Sequence, residues 1–144
     1  MKIYFCGSIR GGRDLAATYA RMIAWLESYG TVLTEHLGSD EEIESQDRRL
    51  SDKEIHDRDL GWIRDSDVLV AEVTVPSLGV GYEIGRAIEM GKPVLCLFQQ
   101  GSSYTLSAMI SGSEGVEVKT YKKPEEVKEA FETFFRKHAP HRTS

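Results

Sequence analysis

Glu83 is the side chain whose surroundings best equip it for chemistry. It closes the stretch Ser77-Leu78-Gly79-Val80-Gly81-Tyr82-Glu83, which follows an apolar strand at 68–73 and a turn at Pro76. The layout is strand, glycine-rich loop, helix. In open parallel sheets, ligands bind beyond the carboxyl ends of the strands at such junctions. The glycines let backbone approach a ligand closely. The helix that begins there turns free N–H groups and a partial positive charge toward an anion. On its wheel Val80, Ile84, Ala87 and Ile88 form the apolar stripe, and Glu83 stands on the flank. The helix field is expected to keep that carboxylate ionised, as a nucleophile or base requires. The same spacing also fits a solvated glutamate on a helix shoulder.

Asp59 is the second acid in an unusual setting. Ile55, Trp62 and Ile63 define the apolar face of a helix, and Asp59 projects into the middle of that face. A buried aspartate must be paired, protonated or turned to a cavity. Two carboxylates, one nucleophilic and one able to donate a proton, can cleave a glycosidic bond with retention. A capping or salt-bridged Asp59 is the alternative. Arg10, flanked by glycines at a strand end, is an anion clamp or an exposed charge. Tyr4 is a packed core tyrosine or a hydroxyl aimed at Glu83. His36 and Ser107 have ordinary readings as a strand-end residue and a helix residue. His36, His56 and Asp57 lack zinc spacing, so no metal is expected, and no cofactor fingerprint is present, since Gly-x-Gly-x-x-Gly and Gly-Lys-Ser/Thr are both missing.

These residues need elements to carry them. A short apolar strand at 3–6 runs into a second glycine-rich loop at 7–13. Leu15, Tyr19, Met22, Ile23 and Leu26 then recur at helical spacing. Further strands are expected at 31–34, 67–73, 94–98 and, on an edge, 116–121. Ser51 or Asp52 can cap the helix that carries Asp59. A short helical piece is expected at 106–110, and a last helix after Pro124 carries Val127, Phe131, Phe134 and Phe135. Residues 38–50 are charged and aperiodic, which predicts a mobile loop, and 138–144 a frayed tail. The alternation implies an α/β fold of one domain. It is a three-layer, doubly wound, Rossmann-like or flavodoxin-like five-stranded parallel sheet of order 2-1-3-4-5. Both glycine loops then meet over one cleft, where Ser8, Arg10, Ser77 and backbone N–H groups converge as a phosphate requires.

Composition narrows the class. A chain of 144 residues suits a single core. The net charge of −5, with no basic run, argues against nucleic-acid binding. The two cysteines, Cys6 and Cys96, both fall in strand patterns, so they are expected to be buried and free. A strand begins at Lys2 and no apolar run has the length of a membrane span. The expectation is a cytoplasmic protein, with nuclear entry left open, and no membrane partner.

The motifs also resemble a known family. Tyr4-Phe5-Cys6-Gly7-Ser8-Ile9-Arg10-Gly11-Gly12, Leu33-Thr34-Glu35-His36, Ala71-Glu72-Val73-Thr74 with Pro76 to Glu83, and Leu106-Ser107-Ala108-Met109-Ile110 stand here in order. Together they resemble the 2′-deoxynucleoside 5′-phosphate N-hydrolases of the nucleoside 2-deoxyribosyltransferase superfamily. The resemblance implies a homodimer that splits deoxynucleoside monophosphates into free base and 2-deoxyribose 5-phosphate. It implies Glu83 as nucleophile at the anomeric carbon, Tyr4 orienting it, and Asp59 holding the sugar hydroxyl or protonating the base. It implies Ser8, Arg10, Ser77 and Gly79 around the 5′-phosphate, joined by Ser107 of the neighbouring subunit. Gly7, Ile9 and His36 would lie near base and sugar. Two other functions compete: a deoxyribosyltransferase acting on nucleosides or nucleotides, and a nucleotide-binding module without catalysis. A transferase for free nucleosides needs no phosphate clamp, and a binding module needs no Glu83.

Overall fold

The computed structural model describes residues 1–9, 13–34 and 49–139. Five strands make one parallel sheet: β1 (Lys2–Gly7), β2 (Thr31–Val32), β3 (Val68–Glu72), β4 (Val94–Gln99) and β5 (Val116–Tyr121). Their spatial order is β2-β1-β3-β4-β5, and every neighbouring pair is parallel. The helices are α1 (Arg13–Leu26), α2 (Asp52–Asp65), α3 (Leu78–Glu89), the single turn α4 (Ala108–Ser111) and α5 (Val127–His138), the last entered through a 3₁₀ turn at Pro124–Glu126. Fold class and strand order are as the sequence predicts.

Strand alternation sorts the core into two layers. Ile3 and Phe5 of β1, Val68 and Val70 of β3, and Leu95 and Leu97 of β4 face α1 and α5. There they pack on Tyr19, Met22, Leu26, Phe131 and Phe134. Tyr4, Cys6, Leu69, Ala71, Val94 and Cys96 point the other way, onto Ile63 of α2 and Val80, Ile84 and Ala87 of α3. Cys6 and Cys96 are both buried and free. No helix among the described residues is long and apolar enough to cross a membrane.

Three local devices fix the ends of these elements. Strand β2 stops two residues short of the predicted 31–34, and a side chain takes over the ladder. The Thr34 hydroxyl oxygen accepts the Phe5 N–H at 2.9 Å, and the hydroxyl donates back to the Phe5 carbonyl. Ser51, rather than Asp52, caps α2. Its Oγ accepts the Glu54 N–H at 3.1 Å while Glu54 Oε1 accepts the Ser51 N–H at 3.2 Å, a reciprocal capping box. Gly91, with φ of 73°, lets the chain leave α3 and enter β4.

Candidate active site

Two loops leave the carboxyl edge of the sheet side by side, because β1 and β3 are neighbours and Gly7 is paired with Glu72. Between them lies a hollow of about 410 Å³, lined by Gly7, Ser8 and Ile9 from the first loop and by Pro76 to Val80 and Glu83 from the second. The close strand–helix fit beneath it depends on Gly7. A Cβ there would stand 2.6 Å from Cζ of Tyr19. Ser8 is buried and Ile9 is exposed at the rim.

The second loop turns into α3 at Ser77. Its Oγ accepts the Val80 N–H at 3.3 Å, so the hydroxyl proton remains available to a ligand. The N–H groups of Leu78 and Gly79 come before Gly81, whose N–H makes the first bond of the helix to the Ser77 carbonyl, so they have no acceptor within it, and both residues line the hollow. A Cβ built on Gly79 would lie 3.9 Å from Ser77 Oγ and 4.0 Å from Glu83 Oε1. Gly79 therefore lies beside both the Ser77 hydroxyl and the Glu83 carboxyl.

Burial pushes the Glu83 carboxyl up to about 7. The Tyr4 hydroxyl, hydrogen-bonded to it, and the Arg58 charge pull it down, while Asp59 adds to the rise. The expected fully ionised carboxylate is thus corrected: removal from water is the largest influence on it. Glu83 Oε2 is buried without a hydrogen-bond partner, a costly state unless a ligand engages it. Tyr4 rises from β1 beneath it and is itself buried. Its hydroxyl is shifted far upward, chiefly by burial and then by the Glu83 charge, so it stays protonated and can donate.

Asp59 reaches the same neighbourhood from α2 and interacts electrostatically with Glu83. Its carboxylate is paired with Arg58, Nε to Oδ1 at 2.9 Å, and its side chain keeps 23% exposure. The expectation of an acid in the middle of the apolar face needs adjusting. Leu60 and Ile63 are the buried positions of α2, and the Arg58 guanidinium lies over the half-buried Trp62 ring, 4.8 Å from its centre. Ser107 stands apart. It caps α4, accepting the Met109 N–H at 3.2 Å, and lines a separate apolar hollow of about 560 Å³ with Ser77, Leu78, Gly81, Ile84 and Gly85. Within one chain it does not line the Glu83 hollow. Arg10, His36, the loop at 38–48 and the tail at 140–144 lie outside the described residues.

Two residues at this edge went unassigned in the sequence. Arg58 is one: a cation beside Asp59 in the chain, whose partnership depends on the helix that carries both. Glu72 is the other. Its signal was present, an acid ending a strand whose every residue is buried.

A family model for nucleoside 2-deoxyribosyltransferases matches residues 3–128. The chain is 54% identical over 139 residues to the 5-hydroxymethyl-dUMP N-hydrolase of Tetraodon nigroviridis, covering 94% of this chain and 97% of that one. Among solved structures it resembles the CMP N-glycosidase of Clostridium botulinum, with a TM-score of 0.66 at 20% identity, covering 92% of this chain and 98% of that one. It also resembles the 2-deoxyribosyltransferase of Bacillus psychrosaccharolyticus, with a TM-score of 0.60 at 20% identity, covering 93% and 96% respectively. At that identity the two structures speak for the fold alone. By the family match and the identity to its relative, this chain belongs to the nucleoside 2-deoxyribosyltransferase family.

Proposed function

We propose that the protein hydrolyses the N-glycosidic bond of 2′-deoxynucleoside 5′-monophosphates, giving free base and 2-deoxyribose 5-phosphate. The observation that carries this reading is one hollow lined both by Glu83, whose Oε1 lies by Gly79, and by the start of α3 at Ser77 and Gly79. The names of relatives such as the Tetraodon protein support the same chemistry.

The steps follow from the groups present. The sugar phosphate oxygens sit against the Ser8 and Ser77 hydroxyls and the Gly79 N–H, with Arg10 as the cationic clamp. That places the anomeric carbon over Glu83. As the bond from this carbon to the base breaks, its electron pair leaves with the base, which takes a proton from solvent. Positive charge builds on the sugar, and the ionised Glu83 stabilises it and then bonds to the carbon. Water attacks the same carbon and releases both Glu83 and the sugar phosphate. Tyr4 holds Glu83 through its hydrogen bond. An ion-paired carboxylate accepts hydrogen bonds well and donates protons poorly, so Asp59, held by Arg58, is assigned to the sugar hydroxyl rather than to the base. Gly7, Ile9 and His36 are assigned to the vicinity of base and sugar.

The active form in this reading is a homodimer. Leu78 is 97% and Met109 83% exposed, a large apolar surface for a monomer. A Cβ on Gly81 or Gly85 would meet nothing within 4 Å, which leaves that side of α3 open to a second helix. The apolar hollow on this side shares Ser77 and Leu78 with the Glu83 hollow. A second copy seated there can bring its Ser107 to the phosphate.

Chromatography after incubation with a deoxynucleoside monophosphate and a second free base tests the reading. Free base and deoxyribose phosphate are expected. A mixed nucleotide as the main product would make the protein a transferase, and a bound but intact nucleotide would make it a binding module.

A further inference from the structure

Glu72 ends β3, is 1% exposed, and takes no part in the chemistry above. Strand alternation turns it to the α1–α5 side of the sheet, with Tyr121, whereas Tyr4 and the stripe of α3 lie on the other. It cannot act on the anomeric carbon directly. Its contacts nevertheless converge on the loop that leads into the start of α3. Glu72 Oε1 accepts the Thr74 N–H at 2.6 Å, and Oε2 accepts the Tyr121 hydroxyl at 3.1 Å. The Thr74 hydroxyl also bonds to this carboxylate, while its oxygen accepts the Gln99 N–H at 2.8 Å. Thr74 thereby links the end of β3 to the end of β4, and Tyr121 adds the end of β5.

The direction of the protons explains why an acid stands here. Gln99 N–H donates to Thr74, Thr74 donates to Glu72, and Tyr121 donates to Glu72 from the far side. A chain of donors needs a terminus that only accepts, and an ionised carboxylate is such a group. Burying it carries a desolvation cost that pushes its carboxyl above the ordinary carboxylate value, and the three donors offset only part of that cost. We propose that Glu72 is a positioning residue that locks the loop at 73–77 to the ends of β4 and β5, and so sets where the Ser77 hydroxyl and the start of α3 stand relative to Glu83.

Glutamine keeps the shape of Glu72 but removes its charge and replaces one acceptor by a donor, so the donors that met that oxygen lose it as an acceptor. Thr74→Val keeps the loop backbone and removes the link to Gln99. The inference rests on the monophosphate reading above for its kinetic arm only. That arm measures Glu72→Gln and Thr74→Val on a deoxynucleoside monophosphate and on the matching deoxynucleoside. The second arm measures amide hydrogen exchange over 73–81 in the free proteins. Each variant is expected to raise KM for the monophosphate about tenfold, the equivalent of one charge-assisted hydrogen bond. The kcat should stay within about threefold, and KM for the nucleoside should not move. Exchange over 73–81 should accelerate while α1 exchanges as before. Unchanged KM with unchanged exchange overturns the proposal. A loss of kcat at constant KM also overturns it, by placing Glu72 in the chemistry, and so does faster exchange throughout, by making it a general stabiliser. Should Glu72→Gln not fold, Thr74→Val carries both arms. Should the wild type release no base, the functional reading fails, and exchange over 73–81, which needs no substrate, still decides the anchoring.

Discussion

Glu83→Gln should inactivate the protein and stabilise it, by an amount that depends on pH. Burial lifts the Glu83 carboxyl from the ordinary 4.5 to about 7. A folded-state value above the unfolded one means that the native state binds the proton more tightly. The stability linked to that proton is complete below about 4.5 and is lost as pH rises through about 7. Each pH unit of displacement is worth about 1.36 kcal/mol, so the ionised acid costs the native state about 3 kcal/mol at pH 8. Glutamine has the shape of the protonated acid and can still accept from Tyr4, so it avoids that cost. Denaturant unfolding of wild type and Glu83→Gln at pH 4, 6 and 8 measures the difference directly. The two should agree near pH 4 and diverge through pH 6. By pH 8 the variant should be more stable by about 3 kcal/mol, roughly 6–12 °C in Tm for a chain of this size. Acids that do not interact with Glu83 titrate alike in both proteins and cancel. A difference that stays constant with pH, or a variant less stable than wild type at pH 8, would refute the claim that desolvation dominates this site.

Four further outcomes follow from the same geometry. Because the proposed role of Glu83 requires it ionised, kcat/KM should fall about tenfold per pH unit below about 7, a limb visible in a pH–rate profile. Tyr4→Phe removes a bond that holds the Glu83 carboxyl down, so kcat should drop about 10- to 100-fold and the acid limb should move above 7. Gly79→Ala meets only ordinary contacts at 3.9 and 4.0 Å, so thermal unfolding should show it no less stable than wild type, while its methyl in the hollow raises KM for the monophosphate. Leu78→Asp, a charge on a fully exposed apolar residue, should yield monomers by light scattering and weaken turnover of monophosphates more than of nucleosides.

Much of the architecture was legible because it depends on period and order alone. Alternation along β1, β3 and β4 sorts the two core layers, and the strand–helix rhythm dictates parallel pairing and the cleft between β1 and β3. Glu83 was legible from its place after a glycine loop, and Ser77 from its place before one. What stayed hidden depends on distances between elements. How far burial lifts the Glu83 carboxyl needs the packed environment. The pairing of Asp59 with its neighbour Arg58 needs the orientation of α2. The end of β2 escaped prediction because Thr34 imitates the ladder with its side chain. Glu72 escaped because its partners Thr74 and Tyr121, and Gln99, which donates to Thr74, meet only once three strands are side by side.

The most direct test of the covalent role is to quench the wild-type protein during turnover of a deoxynucleoside monophosphate and weigh its peptides. The peptide containing Glu83 should gain the mass of the deoxyribose phosphate, and Glu83→Gln should bind the nucleotide yet show neither adduct nor free base. Base release by Glu83→Gln at the wild-type rate, or an adduct carried on any other residue, would contradict the account.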